Sequence, residues 1–524
     1  MDKKIEILDT TLRDGAQGEG ISFSVLDKIN VIKALDKQGI DFIEVGNPFS
    51  NPKDSLLFSK LGELSLEHSK LVAFGSTRRR DTTAAEDKNC EALSSCGAEY
   101  VSIFGKSDIR QAEEILNVSG SENLSMISET VAYLTGLGKK VFFDAEHFFD
   151  GYKNDKDYAV ETILAAQNAG AVRIILCDTK GATLPADIGE ITAAVKEKIT
   201  VPIGIHCHND IGCAVAASIE AVTTGATQVQ GTYIGIGERC GNAALTTLIP
   251  TLQLKLRVEC IPFDKLKNLT KTASYIASVC NIRLDSSMPY VGKSAFTHKG
   301  GMHIDGVNKN PRSFEHIEPE LVGNKRNQLI SEVSGKAALI SKLEGFSGNI
   351  SVDDETVKKL VLLLKEKELE GYQYESAEAS LELIVLKYLD SFTPFFKLVD
   401  FEIIGHQKES NVKNTATAMV KVKVDSKFEI TADEGEGPVN ALDKALRKAI
   451  EVFYPALKSV RLTDYKVRVI EPTHATAARV RVLIESTDGD SIWTTVGVSR
   501  DIINASLKAL LDSIEYKLLK DSRG

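Results

Sequence analysis

The stretch Ile203-Gly204-Ile205-His206-Cys207-His208-Asn209-Asp210 joins an apolar, β-prone run to two histidines and a polar turn. Alternate side chains of an extended strand share one face, so His206 and His208 project together. Two imidazoles one strand-step apart can bind one metal ion, but a His-x-His pair alone is a weak motif. Two half-exposed histidines on a strand remain the alternative. Asp210 is placed to cap a helix that begins near Cys213.

This strand is one of a series. From residue 4 to about residue 255, short β-branched runs alternate with helix-length amphipathic segments such as Val25–Gln38, Ala159–Ala169 and Ala186–Lys198. Eight strand–helix units in this length predict an α/β fold, a closed parallel (β/α)8 (TIM) barrel. A doubly wound open sheet is the alternative, but its Gly-x-Gly-x-x-Gly fingerprint does not follow the first strand. The predicted strands are Lys4–Leu8, Phe42–Gly46, Leu71–Gly75, Tyr100–Gly105, Val141–Glu146, Arg173–Thr179, Val201–His208 and Gln228–Gly235.

Polar residues follow most of these strands, at the end where a (β/α)8 barrel places its catalytic groups. Asp9-Thr10-Thr11-Leu12-Arg13-Asp14-Gly15 follows the first strand, and Asp144-Ala145-Glu146-His147 ends the fifth. A single polar residue in such a place is more often a cap or a turn. Their shared position at one end of the barrel is what favours an active site there.

Composition excludes several classes of function. The 524 residues are 43% hydrophobic and 26% charged, and the net charge is −10. This acidic balance argues against nucleic-acid and anionic-membrane partners. No apolar run approaches a transmembrane span, and the first residues lead into a strand rather than a signal peptide. The eight cysteines are scattered, so we expect reduced thiols and a cytoplasmic protein.

The alternation stops at about residue 271. The segment Gly292–Arg312 is rich in Gly, Lys and His and predicts a loop or lid over the barrel, with a plain linker as the alternative. Residues 352–390 read as helices, with Val357, Leu360, Leu363 and Leu364 on one face.

The last 130 residues or so contain an internal repeat. The pattern Asn-Ala-x-x-Lys-Ala-Leu begins at Asn440 and again at Asn504, and strand-like runs precede each copy. Two β-rich halves that each end in a helix predict a pseudo-symmetric α+β domain. Without an evident catalytic cluster, this domain is a candidate for subunit contacts and effector binding. We therefore expect a catalytic barrel over residues 1–270, connector and lid subdomains over 271–390, and a regulatory domain over 391–524.

Three motifs together carry a family resemblance. They are Asp9 to Gln17, His206 to Gly212, and Gly237-Glu238-Arg239-Cys240-Gly241-Asn242. In this order they resemble the isopropylmalate/homocitrate/citramalate synthase family of (β/α)8-barrel metalloenzymes and, more distantly, hydroxymethylglutaryl-CoA lyase. The resemblance spans nearly the whole chain, and it implies that Gly300–Gly306 belongs to a lid and that the tail is regulatory.

The resemblance implies roles for individual residues. Asp14, His206 and His208 would bind a divalent metal ion, with Asn242 a weaker candidate, and Zn, Mn, Mg and Co are not distinguished. The residues expected to contact the substrate are Arg13, Asp144 and Thr179, with Arg13 also stabilising a developing alkoxide. The general base is either Glu146 in the barrel or His303 in the lid.

The resemblance also implies a substrate. Ala145 to Tyr152, Gln228 to Thr232 and Ala295 to Gly301 are similar to the family members that use pyruvate. This implies an acyltransferase that condenses acetyl-CoA, pyruvate and water to (R)-citramalate and CoA in isoleucine biosynthesis. Isopropylmalate synthesis from 2-oxoisovalerate is the alternative. The family commonly has Asn where this chain has Ile234, which puts a polar role there in doubt.

The implied assembly is a homodimer whose C-terminal domain binds isoleucine. A carbon–carbon lyase or biotin-dependent carboxyltransferase on the same barrel would not need the repeated tail. A catalytically inactive amino-acid sensor is the alternative from another class. The full set Arg13, Asp14, Glu146, His206 and His208 argues against it, because gathered charged groups are costly to bury without a function.

Overall fold

The computed structural model describes residues 4–328, 353–406, 415–470, 478–489 and 491–523. The chain forms two compact units. The first contains Met1–Phe296 and Ile317–Arg326, and the second contains Thr297–His316 and Asn327–Gly524. The three-part division by domain stays a prediction, and part of its connector, residues 329–352, lies outside the described residues.

The first unit is a closed barrel of eight parallel strands in sequence order, with β1 paired to β8. This confirms the (β/α)8 prediction and excludes the open sheet. The predicted eighth strand was too long, because a turn begins at Thr232, whose carbonyl accepts a hydrogen bond from Gly235 N at 3.2 Å. The strands are β1 Glu6–Asp9, β2 Phe42–Gly46, β3 Lys70–Ser76, β4 Tyr100–Lys106, β5 Lys140–Glu146, β6 Arg173–Asp178, β7 Ile203–Cys207 and β8 Gln228–Gly231.

Helices surround this barrel. The first is closed at its start by a capping box between Ser24 and Asp27 and at its end by Gly39, whose φ of 85° suits glycine. The helices of the unit are α1 Val25–Gln38, α2 Pro52–Lys60, α3 Lys88–Ser95, α4 Gly120–Gly136, α5 Phe148–Asn154, α6 Lys156–Asn168, α7 Pro185–Lys196, α8 Ala214–Thr224, α9 Leu245–Leu254 and α10 Leu269–Val279.

The barrel interior is filled in layers. Near the start of the strands, Phe42 packs edge-on against Tyr100 and Phe142, with ring centroids 5.1 and 5.3 Å apart. Two residues further along β2 and β5, the same inward face carries Glu44 and Asp144. An apolar plug therefore closes the barrel beneath a polar layer that lies toward the carboxyl ends of the strands.

The second unit begins with a short parallel pair, β9 Thr297–His298 and β10 Asn327–Gln328. Part of the predicted lid loop is helical, because α11 spans Gly301–Lys309. Two further helices follow, α12 Asp354–Leu369 and α13 Glu378–Tyr388. As the pattern predicts, Val357, Leu360 and Leu364 of α12 are buried, in one cluster with Ile304 of α11.

The tail contains two three-stranded antiparallel sheets, each followed by a helix. The first half comprises β11 Lys397–His406, β12 Thr415–Val424, β13 Lys427–Gly435 and α14 Pro438–Glu451. The second half comprises β14 Arg461–Val469, β15 Val480–Thr487, β16 Ile492–Ser499 and α15 Ile502–Ser522.

The two halves repeat in detail. Thr431 Oγ1 donates to Ala445 O at 2.7 Å, and the same bond recurs 64 residues later from Thr495 Oγ1 to Ala509 O at 2.7 Å. This recurrence supports the pseudo-symmetric α+β interpretation. The first strand of each half also shifts register at the equivalent place, between Leu398 and Asp400 and between Leu462 and Asp464.

Within the described part of the chain, every helix is too short or too polar to cross a membrane. All eight cysteines are unpaired, as the scattered spacing predicts.

Candidate active site

Three side chains meet at the carboxyl ends of the barrel strands. His206 Nε2 lies 3.4 Å from His208 Nε2, and Asp14 Oδ2 lies 3.5 Å from His206 Nε2 and 3.8 Å from His208 Nε2. All three residues are buried. A ligand atom from each lies within 4.8 Å of the other two. Two imidazoles and one carboxylate at this separation fit a divalent cation and leave coordination positions for a substrate.

The electrostatics of the three residues favour a cation among them. Burial opposes ionisation of Asp14, but Arg13 and His206 outweigh it and lower the pKa of this carboxyl far below its usual range. Burial also disfavours charge on His206, yet the contact with Asp14 raises its pKa. Burial and the neighbouring His206 lower the pKa of His208 to about 4. The carboxylate therefore stabilises a positive charge beside it, and His208 stays neutral, as a metal ligand must.

Arg13 is held rigidly next to this group. Its Nε donates to Glu44 Oε2 at 2.6 Å, and its Nη1 donates to Asp14 Oδ2 at 2.9 Å. The guanidinium lies 3.8 Å above the ring centroid of Phe74. Glu44 is fully buried, and burial together with Asp144 raises its pKa to about 7, against the effect of Arg13. Two carboxylates and an aromatic face thus fix the plane of the guanidinium.

In the loop after β7, Asp210 does not cap α8 as predicted. Asn209 Oδ1, rather than Asp210, accepts a hydrogen bond from Ala214 N at the start of α8, at 3.1 Å. Asp210 instead accepts from Arg239 Nε and Nη2 at 2.7 and 2.9 Å. Arg239 has a φ of 53° and also donates to Thr179 O, so one side chain ties together the loops that follow β6, β7 and β8.

Asn242 lies at the same place but presents its amide nitrogen to the carboxylate. Its Nδ2 donates to Asp14 Oδ1 at 3.0 Å and to Ile236 O at 3.2 Å. Its Oδ1, the side-chain atom that could bind a metal, is buried and has no hydrogen-bond partner among the described residues. As placed, the residue orients Asp14, and its direct role as a ligand stays a prediction.

Glu146 lies at the end of β5. Its Oε2 is 2.5 Å from Lys106 Nζ at the end of β4. The neighbouring His147 has a φ of 60°, and its backbone N–H donates to Thr179 Oγ1 at 2.8 Å. Glu146 and Thr179 are thus fixed at adjoining strand ends.

Asp144 and Gln230 lie inside the barrel beside His206. Gln230 Oε1 is 3.1 Å from His206 Nδ1. Burial raises the pKa of Asp144, while His206, Arg13 and the side chains of Ser102 and Gln230 act in the opposite direction. Asp144 Oδ1 and Gln230 Nε2 have no hydrogen-bond partner within the part of the chain that the structure describes.

Two further residues were singled out by the sequence. His303 belongs to the second compact unit, where its ring stacks on Phe314 with centroids 4.2 Å apart, so its catalytic role stays a prediction. Ile234 is buried in the apolar core of the first unit, so this side chain packs rather than leaving a polar contact unmade.

Sequence reasoning missed Lys106, Glu44 and Gln230 as site residues. A signal existed for Lys106, because β4 and β5 were both predicted and a parallel register pairs Lys106 with Glu146. Glu44 stood at the end of a predicted strand, but nothing in the sequence indicated that it would face Arg13. Gln230 required the register between β7 and β8, which pairs it with His206.

Three consecutive segments of the chain match models of known protein families. Residues 4–276 match the HMGL-like model. Residues 290–370 match the model described as homocitrate synthase post-HMGL domain-like. Residues 375–518 match the LeuA allosteric (dimerisation) domain.

Similar curated proteins extend over nearly the full length. The chain is 49% identical to an (R)-citramalate synthase of Aquifex aeolicus, with 99% of each chain covered. It is 47% identical to an (R)-citramalate synthase of Geobacter sulfurreducens, with 98% of each covered. A probable 2-isopropylmalate synthase of Methanopyrus kandleri is 32% identical, again with 98% of each covered. The chain therefore belongs to the HMGL-like family, in the group of the (R)-citramalate synthases.

Proposed function

We propose that this protein is an acyltransferase that condenses acetyl-CoA with pyruvate and water, giving (R)-citramalate and CoA. Full-length similarity to several (R)-citramalate synthases, at 41–49% identity, carries this proposal. The isopropylmalate alternative is weaker, because two relatives with that name are 32% and 30% identical.

We infer that Asp14, His206 and His208 hold a divalent metal ion, with Asn242 beside them. When bound, such a cation supplies Lewis-acid polarisation to the carbonyl of the 2-oxo acid. The fit rests on the donor set and on the separations of 3.4–3.8 Å among the three nitrogen and oxygen atoms.

Arg13 and Thr179 would bind and orient the 2-oxo acid. Glu44 and Asp14 occupy two of the guanidinium nitrogens, so the direction of the remaining donors is set before substrate arrives. Thr179 Oγ1 already accepts the His147 N–H, which leaves its hydroxyl proton for the substrate carboxylate. Asp144 completes the proposed substrate contacts from β5.

A base must remove one proton from the acetyl methyl group so that the methyl carbon can attack the keto carbon. Glu146 is the barrel candidate, and Lys106 fixes one of its oxygens. His303 remains the candidate from the second unit. Water then hydrolyses the thioester. The acyl group becomes the new carboxylate, and CoA leaves as the thiol.

The second unit supports a proposed homodimer. Leu483, Val496 and Val498 on the outer face of the second sheet pack in one cluster with α12 and α13 of the same chain. The equivalent face of the first sheet leaves Met419, Phe428 and Ile430 at 41–57% exposure. Together with the dimerisation-domain match, this open face favours a second copy as its cover. Isoleucine is the proposed effector of this unit.

The experiment supplies acetyl-CoA with pyruvate, 2-oxobutyrate, 2-oxoisovalerate or 2-oxoglutarate and follows release of the CoA thiol. We expect the highest kcat/KM with pyruvate and a product that matches (R)-citramalate. A higher value with 2-oxoisovalerate would assign isopropylmalate synthesis, and no thiol release with any acid would favour the inactive-sensor alternative.

A further inference from the structure

The two ring nitrogens of His206 face different groups. Its Nε2 faces His208 and Asp14, while its Nδ1 lies 3.1 Å from Gln230 Oε1. A neutral imidazole carries its proton on only one nitrogen. Whichever group contacts Nδ1 therefore decides whether Nε2 presents a lone pair or a proton to its neighbours.

Gln230 is built to contact Nδ1. It is fully buried, it lies on β8, and the parallel register of β7 and β8 pairs it directly with His206. Since a carbonyl oxygen can only accept a hydrogen bond, Gln230 Oε1 requires the proton on Nδ1.

We propose that Gln230 is a positioning residue that holds His206 in the Nδ1–H tautomer. The neutral imidazole would then present its Nε2 lone pair to a cation bound by Asp14 and His208. This inference deepens the proposed metal site and rests on it for its consequence, but the tautomer itself is a property of the metal-free protein.

The decisive variant is Gln230→Met, which keeps the side-chain length and removes the acceptor. Gln228→Met is the matched control. Gln228 is also a fully buried β8 glutamine, one strand-step earlier, where the register pairs it with Gly204 instead of a histidine. Both variants lose one buried amide, so a general effect on the barrel should be equal in both.

The first readout is the ¹⁵N spectrum of histidine-labelled, metal-free protein at alkaline pH, with His206 assigned by its loss in His206→Gln. We expect the proton on Nδ1 in the wild type and in Gln228→Met, and its loss from Nδ1 in Gln230→Met. A wild-type His206 with its proton on Nε2 would overturn the proposal without any variant, so it stays testable even if Gln230→Met fails to fold.

The second readout is Mn²⁺ affinity by competition with a chelator. Loss of a residue that orients a ligating histidine should weaken binding by about 10–100-fold in Gln230→Met. Gln228→Met should bind as the wild type does. Unchanged tautomer and affinity in Gln230→Met would overturn the positioning role. A wild type that binds no Mn²⁺ would instead remove the proposed metal site, and the tautomer result would stand by itself.

Discussion

Lys106 Nζ lies 2.5 Å from Glu146 Oε2, and the two residues are register partners at the carboxyl ends of β4 and β5. The side chains of both are mostly withdrawn from solvent, at 13% and 24% exposure. An ion pair in this position holds the carboxylate toward one side of the barrel mouth. If Glu146 is the base, Lys106 decides where the basic oxygen points.

Replacing Lys106 with Met should lower kcat by roughly 10–100-fold, since misplacement of a reacting group by about 1 Å can cost as much. The amount of metal bound to the protein should equal that of the wild type. The control is Lys153→Met, which removes a half-exposed ion pair with Asp187 on the barrel surface. Steady-state thiol release measures both. A Lys106→Met enzyme with wild-type kcat would argue for His303 as the base.

Removing one proposed metal ligand tests the donor set. His208→Ala should weaken Mn²⁺ affinity by at least about 100-fold and abolish most turnover, because two ligands cannot replace three. His68→Ala is the control, since His68 also lies near a carboxylate, 3.4 Å from Asp41 Oδ1, but belongs to no cluster with His206. Chelator competition gives the affinities. Retained binding in His208→Ala would place the metal elsewhere.

The positions of the strands could be predicted from the sequence because each barrel strand is a compact β-branched run between amphipathic helices. Most contacts between side chains of different strands and loops could not, since they depend on register and loop geometry. Asp210 is the example. Sequence spacing suited it to cap α8, but Arg239 reaches it from another loop, and Asn209 Oδ1 instead accepts the hydrogen bond from Ala214 N. The helix α11 could not be predicted either, because its segment is rich in glycine. Its Ile304 is buried through contacts with residues distant in the sequence.

The buried Glu515 predicts a pH effect on the second unit. Burial and the nearby Asp512 raise its pKa to about 7, against a hydrogen bond from Phe395 N at 3.2 Å. A carboxyl with a higher pKa in the folded state binds a proton on folding, so its contribution favours folding at low pH and is lost as pH rises from about 4 to about 7. The loss is at most about 3.5 kcal/mol.

The variant Glu515→Gln should remove this part of the pH dependence, whereas Glu434→Gln, at an exposed position, should not. Urea unfolding can be followed by fluorescence of Trp493, the single tryptophan of the chain, which lies in the same unit. Equal pH profiles for wild type and Glu515→Gln would show that the pKa of Glu515 is the same in the folded and unfolded chain.

A charge introduced on the exposed apolar face of the first tail sheet should disrupt the proposed dimer. Ile430→Asp should shift the protein from dimer to monomer in sedimentation velocity, because a buried, unpaired carboxylate is costly at an apolar interface. Leu362→Asp is the control, an equally exposed apolar residue on α12, at 60% compared with 57%. A dimer that persists in Ile430→Asp at all concentrations would place the interface elsewhere.

Isoleucine should inhibit the full-length protein. Feedback requires the effector to bind one conformational state more tightly than another, and a coupling of about 1–3 kcal/mol corresponds to a change of about 5–150-fold in substrate affinity. Deleting the tail is a poor test, because Leu383 and Leu386 of α13 pack against Leu519 of α15 and would be exposed.

The better test titrates L-isoleucine, L-leucine and L-valine into the intact enzyme, with D-isoleucine as the control. Thiol release reports inhibition, and Trp493 fluorescence reports binding in the tail independently of catalysis. We expect both signals to respond most strongly to L-isoleucine. If neither signal changes at millimolar concentrations of the three amino acids, the repeated domain acts in assembly alone, since a ligand without differential affinity cannot shift the equilibrium.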